Sequence, residues 1–265
     1  MKLTVLCDNN TFVDNYLLAE PALSFYIENG KDKILFDLGY SDVYKKNAQK
    51  LKIDLNKVNK IALSHGHNDH TGGLACFDGN QNVELYCCNG CFDKKREGRE
   101  DISAPITEEV ATRFKLIKCE RPVEISKNLY FLGRIPRGSK HESYNTKFET
   151  LKNGKWEKDF NLDDSCLIYR MKDGLAIITG CSHSGICNMI NFAKSQFNSD
   201  VKVVIGGLHL KVVDNDTQKT IKFLKKQKGI ELYPCHCTSL LVKAEMLKMG
   251  IKVFEVGSGL KVELT

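Results

Sequence analysis

The 265-residue chain lacks any long hydrophobic run, and this argues against a membrane-spanning helix. No apolar stretch approaches the ~20 residues that such a helix needs. The opening segment, Met1–Asp8 (MKLTVLCD), reaches a charged residue too early for the hydrophobic core of a secretory signal. We therefore expect a cytoplasmic protein with no membrane partner.

The chain also lacks the signs of a disulfide-stabilised protein. Its 11 cysteines are an odd number and cannot all pair within one chain. A chain of this length does not need disulfides and shows no export signal, so we expect reduced thiols and a strongly reducing or low-oxygen cell. The spacings Cys88-x-x-Cys91 and Cys235-x-Cys237 raise a structural zinc or iron–sulfur site as an alternative, but the second pair is one residue too tight for zinc.

A strong charge of either sign is absent as well. The net charge is +6, from 39 basic and 33 acidic residues. The basic residues form no stripe and no recognisable nucleic-acid-binding module, so we expect no nucleic-acid partner. The mild positive charge permits an anionic small-molecule substrate. The sequence does not fix the oligomeric state.

What is present is a pattern of short strands and helices that occurs twice. Each half begins with a strand hairpin, with turns at Asn29-Gly30 and Lys172-Asp173-Gly174, and continues with alternating strands and helices. The predicted strands are Leu3–Cys7, Ala22–Glu28, Lys33–Asp37, Lys60–Leu63, Val83–Cys87, Val123–Ile125, Leu129–Leu132, Cys166–Met171, Leu175–Thr179, Val201–Ile205, Glu231–Tyr233 and Lys252–Val256, and the predicted helices are Asp42–Lys52, Ile186–Gln196, Asp216–Gln227 and Ser239–Met249. We expect Lys94–Asp101 to be an exposed charged segment and Gly133–Lys158 a long loop or lid. The pattern predicts an α+β fold of two sheets packed face to face with helices outside, in a single domain.

Four potential metal ligands stand within six residues. His65, His67, Asp69 and His70 directly follow the predicted strand Lys60–Leu63, and imidazole and carboxylate suit zinc, iron and manganese. His65 and His67 are two residues apart and can turn both rings toward one ion, whereas Asp69 and His70 can serve a second ion. A two-metal site lowers the pKa of a bridging water toward ~7. A surface histidine cluster or a purely structural metal are the alternatives.

The remaining histidines lie farther along the chain. His183, His209 and His236 each follow a separate predicted strand. Loops at strand ends commonly carry functional groups, so we predict His183 and His236 as metal ligands and His209 as a residue of the same site. His141 lies in the polar middle segment, where we expect it to be exposed to solvent.

Two motifs carry a resemblance to a known family. Ser64–Leu74 (SHGHNDHTGGL) resembles the His-x-His-x-Asp-His signature of the metallo-β-lactamase superfamily, and Ile34–Gly39 (ILFDLG) is similar to that family's first motif. The order of elements fits over nearly the whole chain. The resemblance implies a four-layer αββα sandwich spanning residues 1–265 as one domain. It also implies that Asp37 supports the metal-binding loop from behind the ligands.

Other segments resemble a narrower branch of that superfamily. They are Gly180–Ile186, Gly206–Leu210 and His236–Thr238. Archaeal members are described as 7,8-dihydropterin-6-methyl-4-(β-D-ribofuranosyl)aminobenzene-5′-phosphate synthases, and bacterial members are mostly unassigned hydrolases. Common superfamily members carry a metal-bridging Asp where this chain has Cys181. Either the Cys181 thiolate binds one metal, as cysteine does in some β-lactamases, or His183 supplies the ligand alone.

The resemblance implies two divalent metal ions. We assign one ion to His65, His67 and His183. We assign the other to Asp69, His70 and His236, with Cys181 as an additional ligand. Zinc is favoured, and iron or manganese also suits this set.

The implied activity is hydrolysis of an ester- or phosphoester-type small molecule by a metal-bound hydroxide. Asp69 would help orient the hydroxide, and His209 would donate a hydrogen bond to the developing oxyanion or to a substrate phosphate. Basic residues in the middle of the chain could hold an anionic group of the substrate, unless they form a solvated surface: Arg134, Arg137, Lys140 and Lys94–Arg96. The alternative functions are a di-iron redox protein of the same fold and a non-catalytic metal-binding or sensing module.

Overall fold

Two mixed β-sheets, packed face to face, form the framework of the protein. This computed structural model describes residues 1–80, 82–111, 113–139, 141–142 and 146–265. In chain order the strands are β1 (Lys2–Cys7), β2 (Ser24–Asn29), β3 (Asp32–Phe36), β4 (Lys60–Ala62), β5 (Glu84–Cys87), β6 (Lys95–Glu97), β7 (Glu100–Asp101), β8 (Lys115–Lys118), β9 (Val123–Ser126), β10 (Leu129–Phe131), β11 (Phe148–Lys152), β12 (Lys155–Lys158), β13 (Cys166–Met171), β14 (Gly174–Thr179), β15 (Val201–Gly207), β16 (Glu231–Cys235), β17 (Lys252–Val253) and β18 (Lys261–Glu263). The α-helices are α1 (Val43–Lys50), α2 (Asn68–Thr71), α3 (Glu108–Ala111), α4 (Ile186–Phe197), α5 (Asn215–Lys225) and α6 (Leu240–Lys248), and short 3₁₀ helices lie at Leu55–Lys57 and Gly72–Cys76.

The two sheets share one plan. The first has the strand order β18-β1-β2-β3-β4-β5-β8, and the second has the order β17-β16-β15-β14-β13-β10-β9. In each, an antiparallel hairpin (β2–β3 or β13–β14) is followed by strands parallel to its second member. Because parallel strands end at the same edge of a sheet, the loops after β4, β14, β15 and β16 can contribute to one site.

Alternating side chains divide the hydrophobic core into layers. On β14, Ala176 and Ile178 belong to the layer between the sheets, whereas Leu175 and Ile177 pack against the helices that cover the second sheet. Tyr44 of α1 lies in the corresponding layer outside the first sheet. Each fully buried isoleucine or leucine contributes about 1.5–3 kcal/mol relative to an exposed one. The resulting helix–sheet–sheet–helix order confirms the predicted αββα fold.

A buried carboxylate links the two sheets at one point. Ser126 of β9 donates its hydroxyl to Asp32 Oδ2 of β3 at 2.6 Å and accepts a hydrogen bond from Asn29 at 2.9 Å. Lys60 Nζ lies 2.6 Å from Asp32 Oδ1. Burial would raise the pKa of Asp32, but hydrogen bonds from Lys60 and Ser126 lower it to about 2. This carboxylate therefore stabilises the sandwich in its ionised form.

The middle of the chain differs from the sequence prediction. Strands β6, β7, β11 and β12 form a small separate sheet of order β12-β11-β6-β7. The prediction of an exposed segment at Lys94–Asp101 is wrong in part, because Lys95 is buried with its Nζ 2.7 Å from Asp159 and 3.1 Å from Asp163. The prediction of one long loop over Gly133–Lys158 is also wrong in part, since β11 and β12 lie within it. These strands carry many charged residues, so hydrophobic alternation could not reveal them.

The other predicted strands and helices are present, with ends shifted by at most a few residues. The sequence pattern missed β8 (KLIK) and β18 (KVE), whose one or two apolar residues are flanked by charges. Within the described residues, no helix has the length and apolar character needed to cross a membrane.

Candidate metal centre

Loops at one edge of the sandwich bring the predicted ligands together. These residues come from the segment after β4 (His65, His67, Asp69, His70), after β14 (Cys181, His183), after β15 (His209) and after β16 (His236). Their donor atoms form three overlapping groups in which all lie within 4.8 Å of one another: His65, His67 and His183; Asp69, His70, Cys181 and His236; and Cys181, His183 and His209. The first and second groups are the sets predicted for two ions. The role of each residue as a ligand stays a prediction.

The first group is a cluster of neutral imidazoles. The ring centroid of His65 lies 4.5 Å from that of His67 and 4.7 Å from that of His183. Burial lowers the pKa of His67 to about 3 and holds the pKa values of His65 and His183 well below the ordinary range. A neutral imidazole keeps a lone pair on one nitrogen. These histidines can therefore bind a cation at neutral pH without first losing a proton.

The second group combines a carboxylate, two histidines and a thiol. Asp69 Oδ2 lies 3.3 Å from His236 Nε2 and 3.7 Å from His70 Nε2, and Cys181 Sγ lies 3.2 Å from His70 Nε2. Burial would lower the pKa of His70, but the carboxylates of Asp69 and Asp37 raise it to about 9. Burial would raise the pKa of Asp69, but His70 and His236 hold it well below its ordinary value. Burial raises the pKa of the Cys181 thiol. Unlike the first group, this group holds opposite charges.

The carboxylate of Asp37 orients histidines in both groups. Asp37 Oδ2 lies 2.7 Å from His70 Nδ1 and accepts the Ser64 hydroxyl at 2.7 Å. The Ser64 oxygen in turn lies 2.9 Å from His65 Nδ1 and can accept its proton. With a single proton on Nδ1, each ring keeps a lone pair on Nε2. His70 carries a second proton at neutral pH, because its pKa is raised to about 9, and must release it before Nε2 can bind a cation. This set of contacts, in which Asp37 and Ser64 hold His70 and His65, is called the relay below. It also explains why position 180 is glycine, because a Cβ there would lie 2.1 Å from the Ser64 oxygen.

The end of β1 holds His236 in place. The backbone N–H of His236 donates to Asp8 Oδ1 at 2.8 Å, and its ring Nδ1 lies 2.9 Å from Asn9 Oδ1. An Nδ1–H donated to Asn9 leaves Nε2 facing Asp69. Sequence analysis missed Asp8 and Asn9 because 228 and 227 residues separate them from His236.

A similar contact holds His67. Its Nε2 lies 2.9 Å from the amide nitrogen of Asn161, which donates a hydrogen bond to it. Turning the amide over would place its oxygen there to accept the N–H of Nε2, and Nδ1 would then keep the lone pair for a metal. The loop of Asn161 is itself fixed, because its N–H donates to Asp159 Oδ1 at 2.7 Å and its carbonyl accepts from Arg137 at 2.9 Å. Sequence analysis missed Asn161 as well, since it lies in the segment after β12 and carries no motif.

Several residues of the centre adopt left-handed backbone conformations that side chains disfavour. The φ angles are +57° at Asp37, +57° at Ser182, +51° at His209 and +51° at His236. Such a conformation costs on the order of 1–3 kcal/mol at a residue other than glycine. The surrounding fold therefore imposes these conformations, and they cluster at the centre as strain commonly does at functional sites.

Phe148 of β11 lines two cavities at the centre. Its ring centroid lies 4.9 Å from that of His67, 5.3 Å from that of His183 and 6.3 Å from that of His209. One cavity of about 380 Å³ covers the ligand groups and includes Asp69. The other, of about 360 Å³, shares the lining residues Phe148, His183 and His209 with the first. Both are large enough for part of a small molecule.

The second cavity corrects the prediction for His141. This histidine is half-buried rather than exposed, and it lines the cavity with its Nε2 3.9 Å from Cys187 Sγ. The adjacent Glu142 is buried, and its carboxylate accepts the N–H of Cys187 at 3.0 Å and the Thr220 hydroxyl at 3.2 Å. Glu142 thereby caps α4, whose own N-cap residue provides no side-chain hydrogen bond.

The basic residues predicted to hold an anion are partly committed elsewhere. Arg96 Nε lies 2.7 Å from Glu149 Oε2, and its guanidinium lies 4.1 Å from the ring centroid of Trp156. Lys140 lies outside the described residues. Among those described along the cavity over the ligand groups, Lys211 supplies the basic side chain.

The donor set fits metal ions. Within the described part of the chain, three buried ring nitrogens at the centre have no hydrogen-bond partner: His65 Nε2, His183 Nε2 and His209 Nδ1. A fourth, His236 Nε2, faces the Asp69 carboxylate at 3.3 Å. Leaving a buried polar atom unsatisfied costs about 1–3 kcal/mol, and such an atom calls for a physical explanation. Nitrogen and oxygen donors converging from separate loops are the ligands that zinc, iron and manganese accept.

Two mixed sheets between helices, with a histidine-rich centre at one edge, form the fold of the metallo-β-lactamase superfamily. The chain belongs to the metallo-β-lactamase superfamily, whose sequence model matches residues 18–187. The membership predicted from the sequence is thus confirmed.

Several relatives resemble this chain over nearly its full length. The 7,8-dihydropterin-6-methyl-4-(β-D-ribofuranosyl)-aminobenzene-5′-phosphate synthase of Methanocaldococcus jannaschii is 30% identical over 277 residues, covering 94% of this chain and 90% of its own. An uncharacterised protein of the same organism is 31% identical over 257 residues, covering 95% and 96%. A crystal structure described as a metal-dependent hydrolase of the β-lactamase superfamily matches with a TM-score of 0.88 and 34% identity, covering 100% of this chain and 99% of that one.

Proposed function

We propose that this protein is a metal-dependent hydrolase of a small-molecule ester or phosphoester. The observation that carries the proposal is the convergence of three buried, unpartnered histidine nitrogens from three separate loops. A structural histidine cluster would be expected to pair these atoms with protein groups. The resemblance to a structure described as a metal-dependent hydrolase, at 34% identity over the whole chain, supports the same activity.

Two divalent ions, with zinc as the favoured metal, are part of this proposal. His65, His67 and His183 would hold one ion, and the second group would hold the other: Asp69, His70, Cys181 and His236. When bound, such a pair of ions supplies a water of lowered pKa and polarises the oxygen under attack or the leaving oxygen.

The chain's own residues would orient the reaction. Asp69 lies between His70 and His236 as a carboxylate, and it would accept a hydrogen bond from the attacking water and orient it. His209 lines both cavities, and its unpartnered Nδ1 can donate a hydrogen bond to the developing oxyanion. Phe148 covers one side of the cluster and limits the access of bulk water.

The substrate we propose is small and anionic. The two cavities, of about 380 and 360 Å³ and both lined by Phe148, suit a small molecule with two parts. Lys211 lies where an anionic group could contact it. The 30% identity to a synthase of a phosphorylated pterin compound is compatible with a phosphoester as the substrate. A cytoplasmic location and the absence of a nucleic-acid partner complete the proposal.

Metal content tests the proposal first. Protein purified without oxygen should contain about two metal ions per chain by mass spectrometry. His67→Ala and His236→Ala should each lose metal, because each removes a donor of a different group. His141→Ala, a histidine of the second cavity, should retain it. Wild-type protein without metal, even after reconstitution, would exclude this mechanism.

Activity tests the second step. Metal-loaded protein should hydrolyse at least one member of a panel of phosphodiesters, carboxylic esters and lactones. His209→Ala should reduce kcat by ~10²–10³-fold, the usual cost of an oxyanion donor, and keep its metal. Loss of metal in that variant would instead identify His209 as a ligand.

A further inference from the structure

A buried lysine lies behind the loop that carries His65 and His67. Lys95 of β6 is 2% exposed, and its Nζ lies 2.7 Å from Asp159 Oδ2 and 3.1 Å from Asp163 Oδ1. Burial would lower the pKa of Lys95, but the carboxylates of Asp163 and Asp159 raise it above its ordinary value. The ammonium group therefore stays charged and holds two buried carboxylates together.

The first of these carboxylates fixes the backbone between the two histidines. Asp163 Oδ2 accepts the N–H of Gly66 at 2.8 Å, while its Oδ1 faces Lys95. Gly66 also packs tightly against Cys91, since a Cβ at position 66 would lie 1.9 Å from the Cys91 carbonyl oxygen. The loop is therefore held by a side chain that Lys95 itself keeps in place.

The second carboxylate leads to the ring of His67. Asp159 Oδ2 faces Lys95, and its Oδ1 accepts the N–H of Asn161 at 2.7 Å. The side-chain amide of Asn161 lies 2.9 Å from His67 Nε2. The N–H of Asp159 also donates to the carbonyl of Phe148 at 2.9 Å, and Phe148 lines both cavities. A single ammonium group thus connects the loop backbone with the ring of one of its histidines.

We propose that Lys95 is a positioning residue for the metal ion of the first ligand group, an inference that rests on the proposed function. Through Asp163 it fixes the loop backbone, and through Asp159 it fixes the tautomer and the orientation of the His67 ring. Stability alone does not account for the cluster, because hydrophobic side chains of similar volume often stabilise a core at least as well as buried ions do. Contacts behind a metal ligand orient that ligand and tune its affinity.

Histidine ring nitrogen-15 NMR of the metal-free protein tests the positioning without depending on metal. In wild type, His67 should show one tautomer, because the fixed Asn161 amide presents a single partner to its Nε2. Lys95→Met removes the ammonium group and should release Asn161. Both ring nitrogens of His67 should then shift toward the averaged values of exchanging tautomers, whereas His236, which faces Asn9, should stay unchanged.

Lys60→Met is the matched control. Lys60 Nζ lies 2.6 Å from another buried aspartate, Asp32, in the contact between the two sheets. This variant should leave the ring signals of His67 and His236 as they are in wild type. An unchanged His67 in folded Lys95→Met would overturn the inference.

A second variant keeps the inference testable where circular dichroism shows that Lys95→Met is unfolded. Asp159→Asn leaves Lys95 paired with Asp163 and removes the carboxylate that holds Asn161. The same shift of the His67 ring nitrogens is expected. Wild-type ring signals in this folded variant would overturn the inference.

Zinc affinity, measured by competition with a chelator, gives the consequence for the ion. His236→Ala keeps the first ligand group whole, and His67→Ala keeps the second whole. Lys95→Met should weaken zinc binding about 10–100-fold in the His236→Ala background and leave it unchanged in the His67→Ala background. Equal losses in both backgrounds would reveal a general structural role and overturn the inference. Wild-type protein that binds no zinc would overturn the proposed function, whereas an unchanged His67 ring in a zinc-binding protein would overturn the positioning alone.

Discussion

Replacing Asp37 with asparagine should weaken metal binding without removing a ligand. The fully buried carboxylate of Asp37 accepts hydrogen bonds from the Ser64 backbone N–H and hydroxyl, and faces His70 Nδ1, each at 2.7 Å. An asparagine amide has one oxygen fewer to accept these donors. If its NH₂ group faces the ring, His70 must move its proton from Nδ1 to Nε2, and Nε2 then cannot bind metal.

The size of the effect should differ between the two ions. Removing a group that supports a metal ligand typically reduces affinity about 10–100-fold, which corresponds to about 1.4–2.7 kcal/mol. We expect this loss at the second ion, because Asp37 contacts His70 directly. Asp37 contacts His65 through the Ser64 hydroxyl, so the first ion should lose less. Ser64→Ala should weaken binding of the first ion more than binding of the second, since it removes the acceptor of His65 Nδ1 and leaves His70 paired with Asp37.

Competition with a chromophoric chelator would measure both affinities in each variant. Ser126→Ala is the control, because it also removes a hydroxyl hydrogen bond to a buried aspartate, in this case Asp32. It should lower stability by about 1 kcal/mol and leave both metal affinities unchanged. Circular dichroism would show whether each variant is folded. A folded Asp37→Asn with wild-type affinity for both ions would refute the relay as the device that orients the histidines.

Three further predictions concern packing and charge. Gly180→Ala should weaken metal binding about tenfold or more in the same chelator assay, since its Cβ would lie 2.1 Å from the Ser64 oxygen. Gly138→Ala is the control and should match wild type, because a Cβ there would have no atom within 4 Å. Asp32→Asn should lower the free energy of unfolding at pH 7 by ~2 kcal/mol in urea titrations. The pKa of Asp32 is lowered from 3.8 to about 2, so its contribution is present above pH 3.8 and is lost as the pH falls toward 2; a difference that persists at pH 2 would contradict this. Glu142→Ala should lower the free energy of unfolding by about 1–3 kcal/mol, because it leaves buried N–H groups at the start of α4 without an acceptor. An unchanged melting temperature would rule out this cap.

The residues of the candidate centre could be located from the sequence because each depends on a local pattern. A short apolar run followed by a histidine marks the end of a strand, and the chain repeats this arrangement after β4, β14, β15 and β16. The segment with His65, His67, Asp69 and His70 is compact enough to identify by itself. The core layers are equally local, since alternation along β14 already separates its two faces.

The side chains that orient the histidines of the candidate centre could not be predicted from local sequence patterns. Asn9 reaches His236 across 227 residues, and Asn161 reaches His67 across 94. Polar residues in loops look alike in sequence, and only the assembled sheets determine which of them meets an imidazole. The burial of Lys95 has the same origin, because its partners Asp159 and Asp163 lie 64 and 68 residues away.

Both ligand groups depend on the two sheets being assembled. The first group combines His65 and His67 from the first sheet with His183 from the second, and the other group combines donors from both sheets as well. Neither half of the chain could therefore form an ion site by itself, although each half repeats the same plan. The second sheet also depends on the first for the orientation of His236, through Asn9. Metal ions bound at these positions would connect the sheets and stabilise the folded state over the unfolded one. The unpartnered nitrogens, at about 1–3 kcal/mol each, are a cost that the packed core must offset until cations bind.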